Sequence, residues 1–593
     1  MDTVKECAHA LRERLLALRD PATGVWTGEL ASSALSTALA VAALDSSDPA
    51  DQALSAAGAA WLCAHANADG GWGDTPESLS NLSATLIAAA ALRLSQRRRG
   101  DIPSGKAKGC VRDTVSRAES WIKGKTGTLE PEAVARALGK VYGEDRTFAV
   151  PILAFLAMCG EERRAWLSVP PLPFLLALLP QGVYRFFRLQ VVSYALPALI
   201  AVGLCRHVCV ARARGRWPWG QVFAGLLLRR LSALQPRHGG FLDAIPLTAF
   251  VCLALRHAGY DAHPVAQKGL DFLRRSVRVE GSWAIDSNLR TWVTSLATRG
   301  VSRTLDVGDL EKIAKWLVLT QVKETHPFTG AQPGGWAWTD LPGGVPDADD
   351  TAGALIALKR LKEAGCQTDL RDAVRNGVTW LLDLQNSDGG MPTFCRGWGR
   401  LPFDRSCPDL SAHALAALSE WTEVSSKAVG PSIQRLLRYL AHAQGDDGSW
   451  TPLWFGHQAA VGGKNPVVGT ARVVDALRKL ESGGGAHGEG ASMARKGEAW
   501  LLRAQKADGG WGMGRVASVE ETALSVIALT GGDVACSEAA QRGCGWLVSQ
   551  GADGLQRAAP IGLYFSLLWY HERLYPLVWS LEALERNVKR KEG

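Results

Sequence analysis

One unit recurs along the chain and restricts its fold more than any other feature. It is an aromatic residue followed by Leu, then often Gln, then polar residues and a Gly-Gly-Trp or Gly-Ser-Trp turn. The clearest copies are Trp500-Leu501-Leu502 with Gln505 and Gly509-Gly510-Trp511, and Tyr439-Leu440 with Gln444 and Gly448-Ser449-Trp450. Trp380-Leu381-Leu382 with Gln385 and Gly389-Gly390 ends on Met391 instead of Trp. Looser copies are Trp61-Leu62 with Gly70-Gly71-Trp72, Gln235 with Gly239-Gly240-Phe241, and Phe272-Leu273 with Gly281-Ser282-Trp283. Trp316-Leu317 with Gly334-Gly335-Trp336, and Trp546-Leu547 with Gln550 and Gly554, complete the set. Runs such as ESLSNLSATLIAAAALRL, DDTAGALIALKRL, DLSAHALAALSEW and VEETALSVIALTG flank these copies, with apolar residues at helical spacing. Each unit therefore reads as helix, Gly-rich turn, helix. Gly ends the first helix in left-handed geometry, Asp or Ser caps the next, and Trp stacks on the Gln side chain to fix the turn. Strand-like alternation is almost absent. The pattern predicts stacked helix pairs, as a solenoid or closed into an α/α toroid.

The repeat also explains the composition. The chain has 22 Trp, as many as its 14 Phe and 8 Tyr combined, and 63 Gly without a collagen period. At 593 residues it exceeds the size of one core, so two or three domains are predicted. Hydrophobic residues at 47% and charged residues at 21% exclude disorder. A net charge of +8 from 66 basic and 58 acidic residues permits attraction to an anionic membrane and does not point to nucleic acid. The 12 Cys show no paired spacing, which reads as reduced, cytosolic usage. The N-terminus MDTVKECAHALRERLLALRD has no apolar signal-peptide core. Leu189 to Cys205 is the most apolar stretch, but it is short for a bilayer and contains Gln190, Ser193 and Pro197. Prolines 170, 171, 173 and 180 divide the apolar residues before it. A surface helix dipping into one leaflet and a buried core helix both fit better than a span.

The sharpest local feature is Val345-Pro346-Asp347-Ala348-Asp349-Asp350-Thr351-Ala352, after a repeat and at the start of a helix. Asp in this position caps helices and suits the first turn, so by position alone the cluster is structural. The same crowding also suits acid chemistry, because adjacent carboxylates cannot all ionise together.

The Gln…Gly-x-Trp repeats and Asp347-Ala348-Asp349-Asp350-Thr351-Ala352 together resemble the squalene-hopene and oxidosqualene cyclase family of class II terpene cyclases. The resemblance runs from about Val25-Trp26-Thr27-Gly28 to the C-terminus. It implies an all-α fold of two α/α barrel (toroid) domains. One covers 25–287, with an apolar membrane-facing region near 166–230; the other covers 288–593 and recruits the N-terminal segment 1–24. It implies Asp349 as the acid that protonates an alkene, with Asp347 and Asp350 in support. His413, in Pro408-Asp409-Leu410-Ser411-Ala412-His413, is implied as its charged partner, positioned by Asp409. It implies Trp292, Trp338, Phe394, Trp454 and Tyr564 as cavity aromatics, each able to stabilise a desolvated carbocation by roughly 2 kcal/mol. A lipophilic polyprenyl substrate follows, squalene first, with oxidosqualene or geranylgeranyl diphosphate as alternatives. No metal or organic cofactor is implied, and no nucleic-acid partner. The enzyme is expected on the cytoplasmic side of a membrane, peripheral or monotopic, with a homodimer left open.

The chain departs from the family pattern in four places. Trp292-Val293-Thr294 replaces Trp-Asp-Thr, and Val468 replaces a Tyr before Gly469-Thr470 that serves reprotonation. An aromatic near Leu189 is missing, and the loop MPTFCRGWGRLPFDRSCPD is shorter and different. These changes leave the acid in place and alter the cavity wall. Two rivals on the same toroid remain: a zinc prenyltransferase-like enzyme using Asp404, Cys407 and His413, and a non-catalytic scaffold.

Overall fold

The computed structural model describes residues 2–46, 48–99, 110–143, 146–160, 163–180, 183, 196–215, 222–327, 329–394, 404–482, 488–564 and 567–592. These fold into helices, with one short hairpin pairing Gly562–Tyr564 and Leu568–Tyr570. The helices form two rings. In the first, the inner helices Ala34–Ala43, Leu82–Arg99, Arg146–Cys159, Leu196–Ala213 and Ile245–Ala258 neighbour one another in chain order, and the last returns to the first. In the second, Arg290–Val301, Ala348–Glu363, Pro408–Glu420, Pro466–Ser482, Val519–Leu529 and Tyr575–Glu592 close in the same way. The remaining long helices pack outside their inner neighbours. The N-terminal helix Asp2–Ala17 lies on Tyr575–Glu592, Val534–Ser549 and Arg290–Val301, outside the second ring.

Hydrogen bonds fasten each repeat. Gly334, Gly389, Gly448 and Gly509 take positive φ at the turn, where a Cβ would be strained. The next aromatic then points inward, and its indole N–H donates back to the outer helix. Trp336 reaches the Leu317 carbonyl at 2.7 Å, Trp450 reaches Leu440 at 2.8 Å, and Trp511 reaches Leu501 at 2.8 Å. The repeat Gln joins two carbonyls: the Gln444 amide donates to Gly448 and to Met493 on the next outer helix, and Gln505 does the same with Gly509 and Ala539. This satisfies carbonyl and amide groups that would otherwise be buried unpaired.

A second fastener lies in the first turn of the inner helices. A Thr or Ser hydroxyl accepts the backbone N–H of the turn residue. The pairs are Thr85 with Trp72, Thr248 with Phe241, Thr351 with Trp336, Ser411 with Met391, Thr470 with Trp450, and Thr522 with Trp511. Thr37 serves Trp283 and Thr294 serves Trp26. This anchor fixes the register of these eight inner helices to their turns, and so fixes which of their side chains reach the ring interior.

The rings meet through polar contacts. Trp569 N–H donates to Asp74 at 3.0 Å, Gly343 N–H to Asp243 at 2.9 Å, and the Tyr564 hydroxyl to Asp286. Helix Leu196–Ala213, with mean hydropathy 1.5, is long and apolar enough to cross a membrane, but half of it is buried in the first ring. Residues 184–195, which carry the start of the apolar stretch and the position near Leu189, lie outside the described residues, as do 395–403 of the altered loop.

Candidate active site

The anchor register sorts the acid cluster. Asp347 is the N-cap of Ala348–Glu363, its carboxylate accepting the Asp350 N–H at 2.8 Å. Asp349 lies two residues before anchor Thr351 and faces His413, two residues after anchor Ser411. The His413 Nδ1 to Asp349 Oδ1 distance is 2.6 Å. Arg472, two residues after anchor Thr470, donates to Asp349 Oδ2 at 3.3 Å. Gly353 permits this convergence, since a Cβ there would sit 3.2 Å from the Trp292 ring and 3.5 Å from the His413 ring.

The carboxyls divide electrostatically. Burial pushes Asp347 up to about 7, and burial with the neighbouring Asp347 and Asp349 charges raises Asp350 further above the carboxylate range. Asp350 is therefore the harder of the two to ionise, while Asp347 titrates near neutrality. Burial also works to raise Asp349, but the Arg472 and His413 charges overcome it and hold this carboxyl below its ordinary value. Burial lowers His413, outweighing the attraction of Asp349. A proton loaded onto Asp349 in this setting would be strongly acidic.

Arg472 was not legible as a site residue, yet it is the cation nearest the acid. Its guanidinium lies 4.7 Å from the Phe455 ring centre and 5.8 Å from that of Trp292. Its signal was positional: Thr470-Ala471-Arg472 repeats the register of Ser411-Ala412-His413. Asp409, expected to position His413, accepts from the Cys407 thiol at 2.5 Å and lies 4.0 Å from Arg472, while His413 Nδ1 contacts Asp349.

Four of the five aromatics named from the sequence fall into a connected row. Trp338 meets Phe394 (6.1 Å between ring centres), Phe394 meets Trp454 (6.3 Å), and Trp454 meets Tyr564 edge-on (6.4 Å). Trp292 stands apart from this row, edge-on to His413 at 5.9 Å, with its N–H on the Tyr575 hydroxyl at 3.0 Å. Sequence reasoning missed Tyr570, Tyr575, Phe455 and Trp579, which continue from Tyr564 back towards Arg472. They carry no repeat signature, and Tyr570 is presented by the short hairpin. Among the described residues, Asp404, Cys407 and His413 do not assemble into a metal-ligating cluster.

A double ring of helices with a buried carboxylate–imidazole pair facing a row of aromatics is the architecture of terpene cyclases. The chain matches the squalene-hopene cyclase C-terminal domain over residues 289–560 and the squalene-hopene cyclase N-terminal domain over 8–122. It belongs to this family, as a divergent class II member. It is 24% identical to a probable squalene–hopene cyclase of Sinorhizobium fredii over 84% of this chain and 81% of that one. It is 24% identical to enfumafungin synthase of Hormonema carpetanum over 86% of this chain, but only 42% of that protein's length. A squalene–hopene cyclase of Alicyclobacillus acidocaldarius is 27% identical over 42% of this chain and 41% of its own length. The ent-copalyl diphosphate synthase of Streptomyces platensis shares the fold over 99% of this chain and all of that one, with TM-score 0.60 and 20% identity.

Proposed function

We propose that this protein is a class II terpene cyclase that protonates a linear polyprenyl substrate, most simply squalene, and folds it into a polycyclic terpenoid. The observation that carries the reading is the Asp349–His413 pair, buried beside Arg472 and next to an aromatic lining. Asp349 would donate the proton as general acid, while Asp347 caps the first helical turn through the Asp350 N–H. His413 Nδ1 would hydrogen-bond the carboxylate left behind. Arg472 is attracted to the carboxylate that forms, which strengthens the acid. The aromatics would stabilise the migrating cation without quenching it, and their packing keeps out water. In this reading 25–287 and 288–593 with helix 1–24 are the two domains, and the second carries the acid.

Such a substrate dissolves in bilayers. Leu176, Leu179, Val222, Phe223 and Leu226 are exposed where the turn Phe174–Leu178 meets helix Ala224–Leu234, an apolar patch within the region expected to face lipid. With the net positive charge, it supports docking on the face of an anionic membrane. Leu176→Glu with Leu226→Glu should release the protein from anionic vesicles in a flotation assay; unchanged flotation would remove the patch as the docking surface.

The test of the activity is direct. Purified enzyme is incubated separately with squalene, 2,3-oxidosqualene and geranylgeranyl diphosphate, and the products are resolved by mass spectrometry. A cyclised isomer of squalene is the expected outcome. Cyclisation of only one of the other two would keep the class and change the substrate, and no conversion of any would overturn the reading.

A further inference from the structure

In the class II reading protonation starts a cation, and some group must end it. The aromatic row holds one polar pair fitted for that. The Tyr564 hydroxyl donates to the carboxylate of Asp286, and Tyr564 stands in the row between Trp454 at 6.4 Å and Tyr570 at 4.8 Å. Trp338, Phe394, Trp454, Tyr564 and Tyr570 are each only half-buried, so the row keeps an open face, while Asp286 behind it is buried. The hydroxyls of Tyr570 and Tyr575 lie 3.5 Å from each other, and Tyr575 also takes the Trp292 N–H. Among the described residues, Tyr564 is the hydroxyl of this row that meets a carboxylate.

Asp286 is firmly placed. It follows the turn residue Trp283 on the segment leaving the first ring, and that segment pairs with the start of inner helix Ile245–Ala258. Ile245 N–H donates to Ile285 at 3.0 Å, Ser287 N–H donates to Asp243 at 3.1 Å, and a β-bridge joins Ala244 to Asp286. Tyr564 arrives from the second ring, on the short hairpin. Burial raises the Asp286 carboxyl to about 7, with the Tyr564 hydrogen bond working against that and the Asp243 charge with it. Asp349 is held in the opposite sense, since the Arg472 and His413 charges overcome its burial. Two carboxyls pushed apart in this way divide into an acid and a base. Asp349 gives up a proton readily, and Asp286, once ionised, takes one readily.

We propose that Tyr564, backed by Asp286, is the base that ends the cyclisation and makes the product an alkene. This rests on the class II reading and adds the group that closes its reaction. The step balances. The last cation loses a proton from the carbon beside it to Tyr564 Oη, and that C–H electron pair becomes the new C=C bond. The tyrosine's own proton passes to Asp286 Oδ2 along the existing hydrogen bond. When product leaves, water entering the site takes the new proton from Tyr564 Oη and Asp286 returns the other, so both groups regain their starting state. The intervening phenol matters. A carboxylate touching the cation would trap it as an ester, whereas Asp286 draws the proton from one residue away. Contacts through Tyr564, Tyr570, Tyr575 and Trp292 separate Asp286 from the Asp349–His413 pair, so the base does not neutralise the acid.

The test reads how products are partitioned, which does not depend on how fast the acid starts the reaction. Wild-type enzyme is given squalene, 2,3-oxidosqualene or geranylgeranyl diphosphate, and its cyclised products are resolved by mass spectrometry. One alkene should dominate; an alcohol formed by water capture as the main product would overturn the assignment. Tyr564→Phe keeps the ring and loses the hydroxyl, and Asp286→Asn keeps the shape and loses the proton acceptor. In each, the share of that alkene among cyclised products should fall about tenfold or more, in favour of alcohols or other alkene isomers. The double variant should match the singles, because the two residues act as one unit. Shifts that add would mean that each only shapes the site, and would overturn the assignment. So would an unchanged share in a variant shown by thermal melt to be folded, or a shift confined to Glu520→Gln, which alters another buried carboxyl of the second ring. If Asp286→Asn does not fold, Tyr564→Phe decides. Wild-type protein that cyclises nothing overturns the class II reading and the base with it, before any variant is made; an unmoved partition in an active enzyme overturns the base alone.

Discussion

The two rings use one fastening and differ in what it presents. Two residues after the anchor hydroxyl, the first ring has Leu39, Ile87 and Phe250, all buried and apolar. The second ring has Leu296, Gly353, His413, Arg472 and Leu524 at the same register. Two residues before the anchor, the second ring has Trp292, Asp349, Asp409, Val468 and Glu520, where the first has Leu35, Ser83 and Pro246. The first ring fills its axis with hydrocarbon and is therefore a support. The second spends the same positions on a carboxylate, an imidazole and a guanidinium, whose burial is stabilised only by their pairing with each other. A buried charged cluster arises here from changing side chains at two register positions, without changing the helical frame.

The largest effect should come from the charge that defines the second ring's difference. Asp349→Asn keeps shape and the contact with His413 but has no acidic proton, so turnover should fall by about 10³-fold or more with thermal stability little changed. Product formation by mass spectrometry beside a thermal melt checks this. Retained turnover would mean that the second ring's charges serve packing, and the contrast between the rings would lose its chemical meaning.

Arg472 gives a smaller and more diagnostic change. Its charge is the first reason that Asp349 lies low despite burial; His413 is the second, while Asp347, Asp350 and Asp409 around it act in the opposite sense. Arg472→Met removes the lowering, so the Asp349 pKa rises. Only the protonated acid donates, so activity should persist to higher pH than in wild type, while the plateau falls because the acid is weaker. The pH profile of kcat/KM reads both changes together. An alkaline limb that stays in place would show that Arg472 acts on packing alone.

How much of this was legible in the sequence follows from what each signal depends on. The double toroid was, because Gly-x-Trp turns and helical periodicity are local and repeat. Asp349 and His413 were, because each stands in a motif, although their contact spans 64 positions in the chain. Arg472 was passed over because a lone Arg in an apolar helix carries no motif; only its place after Thr470, matching His413 after Ser411, marks it. The contacts of Asp409 with Cys407 and Arg472 were not legible, because they depend on how the start of its helix meets the next inner helix. Tyr570 was invisible because the hairpin that presents it lies outside the repeat, and Tyr575 because its helix Tyr575–Glu592 follows no Gly-Trp turn.

The smallest effect concerns the fastening itself, and it separates frame from chemistry. Thr85 and Thr351 are equivalent anchors, both fully buried. Each accepts its Trp N–H at 3.0 Å, Trp72 in the first ring and Trp336 in the second. Valine has nearly the same shape without the hydroxyl, so Thr85→Val and Thr351→Val each leave one buried N–H unpaired at a cost of about 1–3 kcal/mol. The local loss should be alike in the two rings, visible as faster amide exchange at Trp72 and Trp336 respectively. The catalytic consequence should not be alike. Thr351 holds the turn that carries Asp349, so its loss loosens the hydrogen bond to His413 and lowers kcat several-fold, within the range by which general acids contribute. Thr85 holds only hydrocarbon against hydrocarbon, and its variant should turn over at the wild-type rate. Equal losses of kcat in both would mean that the rings move as one body and that strain in the supporting ring reaches the acid.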